Sequence, residues 1–245
     1  MKLPEKKSGI NKNYNAQKII MIGQSGIGKS EFWTNDPNAF FIQTEAGLNA
    51  YDVFKLEARS WDDLKQVYVS LKNAADNGKF PYTTIIVDTI DKVVKYAEEE
   101  TVARGRKHFA RIADQINSVG DIPNGGGWYT QKKLVLGFLD SIEQLPCAVA
   151  IVGHLTIKKI EEDSGNKYDK CTINIGGKTG EDILAWADHI MNIKGVMRGE
   201  TLQRTVYTKP TQSREAKSRG CMIPDGMKWG VDGKVNYGEF RKLFT

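Results

Sequence analysis

Residues 23–30 read Gly23, Gln24, Ser25, Gly26, Ile27, Gly28, Lys29 and Ser30, which satisfies the spacing GxxxxGK[ST]. The apolar run KIIMIG (18–23) leads into this octet, and a helix-compatible segment follows it. Glycines let a backbone turn tightly and aim successive amides at phosphate oxygens. In such a loop Lys29 reaches the β- and γ-phosphates, and the Ser30 hydroxyl ligates Mg²⁺. A glycine-rich turn alone has no chemistry. Strand, spacing, lysine and serine together point to a bound nucleotide. Further along, TTIIVD (83–88) is an apolar run ending in Asp88, a carboxylate able to hold a magnesium-bound water beside Ser30. Asp91 reads as a surface residue at the start of the next helix.

Hydrolysis needs one more carboxylate, to orient or deprotonate water. Thr89 directly follows Asp88, so that group must come from elsewhere. The stretch AFFIQTEAGLNAY (39–51) puts Glu45 just past the end of a second strand, at the edge where ligands sit in open α/β sheets. If that strand neighbours the one ending in Asp88, Glu45 faces the γ-phosphate; if not, it is a solvated loop carboxylate.

These groups need a scaffold that brings strand ends together. Strand-like runs at 18–23, 39–43, 83–88 and 147–153 alternate with helical stretches at 61–78, from Ile90 to about Arg104, and at 129–145. Continuous apolar strands separated by helices indicate a mainly parallel sheet covered on both faces. After Gly153 the pattern changes: LTIKKIEE and KCTINI flank a polar turn at 163–166 and read as a hairpin. EDILAWADHIMNIKGV then gives a helix and a strand, TLQRTVYTK another strand, and a short amphipathic helix lies near Glu239–Phe244.

The 245 residues suffice for one substantial core. The division expected is a flexible tail (1–16), a nucleotide-binding domain (17–223) and an extension packed on it (224–245). The polar, lysine-rich start has no apolar stretch of a secretory signal, and no run approaches a membrane span, so a cytoplasmic setting without membrane contact is expected. Three scattered cysteines, Cys147, Cys171 and Cys221, argue against a disulfide framework or a zinc site. The net charge of +5 permits a polyanionic partner without requiring one. The segment 231–240 echoes half an EF-hand, but its first ligand positions would be Lys228 and Gly230, which excludes calcium there.

Four signals in this order resemble the RecA-like ATPases: the phosphate loop, a strand ending near Glu45, the IIVDT strand, and a later strand ending in a polar residue. The compact phage proteins of the Sak single-strand annealing and recombination group are the nearest in type, on LPCAVAIVGHLT and EAKSRG as well. The resemblance runs from about Lys18 to Ile223. Gln43 departs from it, because relatives often carry an aspartate there. The resemblance implies a RecA-like core with a C-terminal β-hairpin extension, ATP and Mg²⁺ as cofactors, and a homo-oligomer acting on single-stranded DNA. A single-strand-binding or replication protein is a possible further partner. It implies that Lys29, Glu45 and His154 are catalytic, His154 as the γ-phosphate sensor. Lys217 and Arg219 would complete a neighbouring subunit's site.

For DNA, two segments offer cations with aromatic surface. One carries Arg104, Arg106, Lys107 and Arg111, then Gly125–Gly127 as a flexible stretch and Trp128, either a stacking surface or a core anchor. The other is the hairpin after His154, with Lys158, Lys159, Lys167, Lys170 and Tyr168. His108 and His189 read as structural. Two other readings stay open: a nucleotide-gated adaptor or loader for a replication motor, and a small-molecule nucleotide kinase using TVARGRKHFAR as a lid.

Overall fold

The computed structural model describes residues 11–162, 165–228 and 236–245, together with Leu3 and Gly9. Most of the tail expected before the first strand, the turn residues Asp163 and Ser164, and positions 229–235 lie outside the described residues.

Among the described residues the first elements are a single 3₁₀ turn (Tyr14–Ala16) and strand β1 (Lys18–Gly23). Helix α1 (Lys29–Trp33), β2 (Ala39–Gln43), β3 (Phe54–Glu57), α2 (Trp61–Asp76), β4 (Thr84–Asp88) and α3 (Ile90–His108) follow. Short 3₁₀ turns then lead to α4 (Gly126–Glu143), β5 (Ala148–Glu161), β6 (Lys167–Ile173), α5 (Gly177–Trp186), β7 (His189–Arg198) and β8 (Thr201–Tyr207). The last elements are β9 (Lys217–Ser218), β10 (Met227–Lys228) and α6 (Tyr237–Lys242).

Strands β7-β1-β5-β4-β2-β3 form a parallel sheet in that order, with β8 and β10 added antiparallel beyond β7. Period-2 alternation sends successive residues of each inner strand into different layers. Ile20, Ile22, Ile85, Val87, Val149 and Ile151 join the core under α2, α3, α4 and α5. Their neighbours Ile19, Met21, Ile86, Ala148 and Ala150 join a second core with Phe32, Trp33, Phe240 and Phe244. Because both faces are covered, the strands read as unbroken apolar runs instead of alternating ones.

The second core is closed by a buried polar knot. The Asp36 carboxylate accepts hydrogen bonds from Thr83 Oγ1 at 3.0 Å, Thr84 Oγ1 at 2.7 Å and Tyr237 Oη at 2.7 Å. Tyr14 Oη contacts both Thr84 Oγ1 (2.9 Å) and Tyr237 Oη (3.2 Å). Burial pushes the Tyr237 phenol far above its usual value. A buried carboxylate satisfied by three hydroxyls ties together three segments distant in the chain, and Tyr14 adds a fourth through Thr84 and Tyr237.

Four elements differ from the sequence expectation. Strand β3 has mostly exposed side chains and lies at the sheet edge, so no apolar run marked it. Helix α3 continues to His108, beyond Arg104. The fourth strand and the first hairpin arm are one strand: β5 is buried through Gly153 and then projects past the sheet, paired with β6 from Leu155↔Ile173 to Glu161↔Lys167. Finally, α4 starts at Gly126, and the glycines before Trp128 serve turning and packing, not flexibility. Gly125 has φ +66°, and a Cβ on Gly127 would lie 2.0 Å from the Val119 carbonyl oxygen.

Candidate functional site

Strand β1 ends at Gly23, and the chain then turns through two left-handed residues, Gly26 (φ +73°) and Gly28 (φ +95°). Side chains disfavour that backbone region, which explains glycine at both places. A Cβ at Gly26 would meet nothing within 4 Å, so the loop's crest is open. Lys29 opens α1 yet is buried, and its ammonium donates to the carbonyls of Gly23 and Gln24, both at 3.0 Å. The lysine is thus folded back across its own loop, where a polyphosphate would displace weak carbonyl partners. Burial lowers its pKa, opposed by the charges of Asp88, Asp91 and Glu45.

The sheet order places β5 between β1 and β4. Registers fix which ends meet: Gly23 pairs with His154, Val152 with Asp88, and Asp88 with Gln43. Since β2 directly neighbours β4, the condition set for Glu45 is met. Thr44 pins the turn, its amide donating to the Asp88 carbonyl (2.8 Å) and its hydroxyl accepting from the Thr89 amide (2.7 Å). Glu45 follows, and its Oε2 stands 3.7 Å from His154 Nε2. Burial raises the Asp88 carboxyl, opposed by a hydrogen bond from the Ser30 side chain. Ser30 and Asp88 are therefore close enough to share an ion.

The residues fit Mg²⁺ bound with a nucleotide. Among the described residues no group of three or more His, Cys, Asp or Glu could hold a metal alone. Hard, oxygen-ligated Mg²⁺ would take Ser30 and Asp88, directly or through water, and complete its shell with phosphate and water oxygens.

Both neighbours of β1 overshoot it. Beyond the Gly23 register, β5 continues from Leu155 to Glu161 with β6, and β7 continues from Lys194 to Arg198 with β8. The phosphate loop thus lies in a notch between two projecting hairpins. Ile27 seats one of them: a Cβ on Gly195 would lie 2.6 Å from Ile27 Cδ1. The same hairpin delivers Arg204, mostly buried, whose guanidinium stands 3.7 Å from Glu31 and 3.4 Å from where a Gly28 Cβ would be. No local pattern marks this cation as lying beside the loop, because only β-pairing across β7 and β8 brings it there.

Asp91 corrects the sequence reading. It is not a surface residue: its side chain is 15% exposed, and its Oδ2 accepts the His154 backbone N–H at 3.0 Å. The two other histidines lie elsewhere, with His189 buried against Gln17 and held at a pKa of about 4 by burial, and His108 stacked edge-on with Phe109.

Lys217 and Arg219 are not brought to this notch. Lys217 and Ser218 pair with Ile190 and His189, the first residues of β7, at the opposite edge of the sheet. Lys217 donates to the carbonyls of Leu184, Ala185 and Ala187, and Arg219 pairs with Asp188 at 3.0 Å. Neither can serve the phosphate loop of its own chain.

The cations proposed for DNA are dispersed. Arg104 pairs with Glu100 at 2.7 Å, and Arg106 donates to the Ile116 carbonyl at 2.8 Å. Both stand roughly 20 Å along α3 from Asp91, at about 1.5 Å per residue. Lys107, Arg111 and Lys159 are exposed, whereas Lys158 donates to the Ile175 carbonyl at 3.0 Å. In the hairpin, Lys167 pairs with Glu161 and Lys170 with Glu215. Trp128 is no core anchor: 58% of it is exposed. With Asp91, Lys95, Glu98 and Lys178 it lines a cavity of about 810 Å³. No helix among the described residues is long and apolar enough to cross a membrane.

Over 91 residues the chain is 34% identical to the SPbeta prophage-derived uncharacterized protein YorG of Bacillus subtilis (strain 168). That match covers 37% of this chain and 28% of the relative, so the chain spans well under two thirds of that protein's length. The AAA_24 family model, an AAA domain, matches residues 15–220, which include the loop, Glu45, Asp88, Asp91, His154 and Arg204. On that match the chain belongs to this AAA domain family of P-loop ATPases.

Proposed function

We propose that this chain is a Mg²⁺-dependent, RecA-like ATPase that assembles on single-stranded DNA, of the Sak type that serves phage recombination. The observation that carries the hydrolytic part is the meeting of Glu45 and His154, 3.7 Å apart, at the strand ends beside Lys29 and the Ser30–Asp88 pair. Glu45 is the base that orients water, a role worth about 10²–10⁴ in rate. Lys29 neutralises charge on the β- and γ-phosphates as the bond breaks. His154 reads the γ-phosphate and passes its presence to β5, whose continuation is the projecting hairpin. Bound Mg²⁺ would supply charge neutralisation between the phosphates.

The assembly and DNA parts rest on different support. Arg219 is 58% exposed at the edge remote from its own loop, where only a neighbouring subunit's nucleotide could meet it. Trp128 and Tyr129, 58% and 64% exposed, offer stacking surfaces for bases. The prophage origin of the relative supports a phage setting. A second reading, the nucleotide-gated adaptor, is favoured by apolar side chains exposed on the hairpins, Ile157, Val196 and Met197. A kinase is disfavoured, because most of its would-be lid is the helical end of α3, far from the loop.

The test is ATP turnover with and without single-stranded DNA across ionic strength. DNA should raise the rate, the stimulation should fade as salt rises, and Trp128→Ala should lose most of it. Turnover indifferent to DNA at every salt concentration would reject the DNA reading in favour of the adaptor.

A further inference from the structure

Asp91 touches none of the groups expected to contact nucleotide except one. That one it holds at the backbone and faces at the ring. Its Oδ2 accepts the backbone N–H of His154 at 3.0 Å, and the imidazole Nδ1 stands 3.4 Å from the same oxygen. The other ring nitrogen, Nε2, stands 3.7 Å from Glu45 Oε2. A carboxylate, an imidazole and a second carboxylate thus line up across three strand ends.

Each link has a separate anchor. Asp91 lies in the first turn of α3, directly after the strand that ends in Asp88. His154 rides β5 and is set opposite Gly23 by the sheet register. Glu45 follows the Thr44 hydroxyl that clasps Thr89. A histidine at the end of a strand could swing about its first side-chain torsion. A carboxylate that accepts the backbone N–H and stands 3.4 Å from the ring limits that freedom. A carboxylate on that side favours the ring form that carries hydrogen on Nδ1, as an orienting carboxylate does for histidine elsewhere.

We propose that Asp91 is a positioning residue: it fixes the ring form and direction of His154, so that Nε2 faces Glu45 and the place of the γ-phosphate. This rests on the reading that Glu45 and His154 serve hydrolysis. Burial raises the Asp91 carboxyl, opposed by the backbone hydrogen bond from His154.

Two measurements separate the proposal from that reading. The chain has three histidines, so ¹⁵N-histidine spectra are simple, and His154→Gln identifies the His154 signals by their loss. In the wild type His154 should show hydrogen on Nδ1, and Asp91→Asn should shift its ring signals toward the other form, leaving His108 and His189 unmoved. Identical His154 signals in both proteins would overturn the proposal, whether or not the chain hydrolyses ATP.

In turnover, Asp91→Asn should lower kcat about 10- to 100-fold, the loss typical when an orienting partner is removed, with KM for ATP within about twofold. In the His154→Gln background the same substitution should cost less than about twofold, because the group it positions is gone. Equal factors in both backgrounds would make Asp91 merely structural and would also overturn the proposal. Asp91→Ser, smaller and still polar, repeats both measurements should Asp91→Asn not fold.

Discussion

Replacing Lys29 with alanine should weaken ATP binding about 100-fold, or about 2.7 kcal/mol, while the protein stays folded. The reason lies in the charges around the loop. Asp88, Asp91 and Glu45 all act on the Lys29 ammonium, and a triphosphate adds several negative charges to the same space. Without the lysine, that concentration of like charge has Arg204 beside the loop and whatever cation the nucleotide brings. Stability should change little. The ammonium's own hydrogen bonds are two contacts to carbonyls at the open loop, each worth about 1 kcal/mol net, and the lysine bears a desolvation cost that truncation removes. Titration of an ATP analogue, paired with thermal unfolding, checks both halves. Unchanged affinity in a folded variant would remove the phosphate-loop assignment.

The second large effect belongs to Glu45. Glu45→Gln keeps the shape and hydrogen-bonding reach of the side chain and loses its charge and basicity. Turnover should fall at least about 100-fold, within the range for loss of a general base, and ATP should bind as tightly as before or tighter, because one negative charge near the γ-phosphate is gone. Single-turnover kinetics separate the two steps. Normal turnover in this variant would show that water is activated elsewhere.

The phosphate loop was legible because everything it needs is local: an apolar strand, eight residues and a helix start. Asp88 was legible because a buried strand ending in a carboxylate is a short pattern. Glu45 was legible only conditionally, since its place depends on β2 lying next to β4, a pairing between segments about 45 residues apart. Asp91 was misread for the same kind of reason. Its partner is 63 positions away, and a carboxylate in the first turn of a helix ordinarily favours the helix dipole from the solvent side. Arg204 and the notch between the hairpins arise from how far β5 and β7 overshoot β1, which side-chain pattern does not encode. Strand β3 was lost because an edge strand with exposed side chains carries no apolar signal. The glycines before Trp128 were read as flexible, whereas Gly127 is required by contact with the Val119 carbonyl. Composition shows that a residue has no side chain, and only the fold shows what occupies the space.

A nucleotide-bound Mg²⁺ shared between Ser30 and Asp88 is the central requirement of the proposed mechanism, and affinity for a non-hydrolysable ATP analogue with and without Mg²⁺ tests it directly. The wild type should bind at least about 10-fold more tightly with the metal, or about 1.4 kcal/mol, and Asp88→Asn should lose most of that difference. Equal affinity with and without Mg²⁺ in the wild type, or a full metal effect surviving in Asp88→Asn, would contradict it.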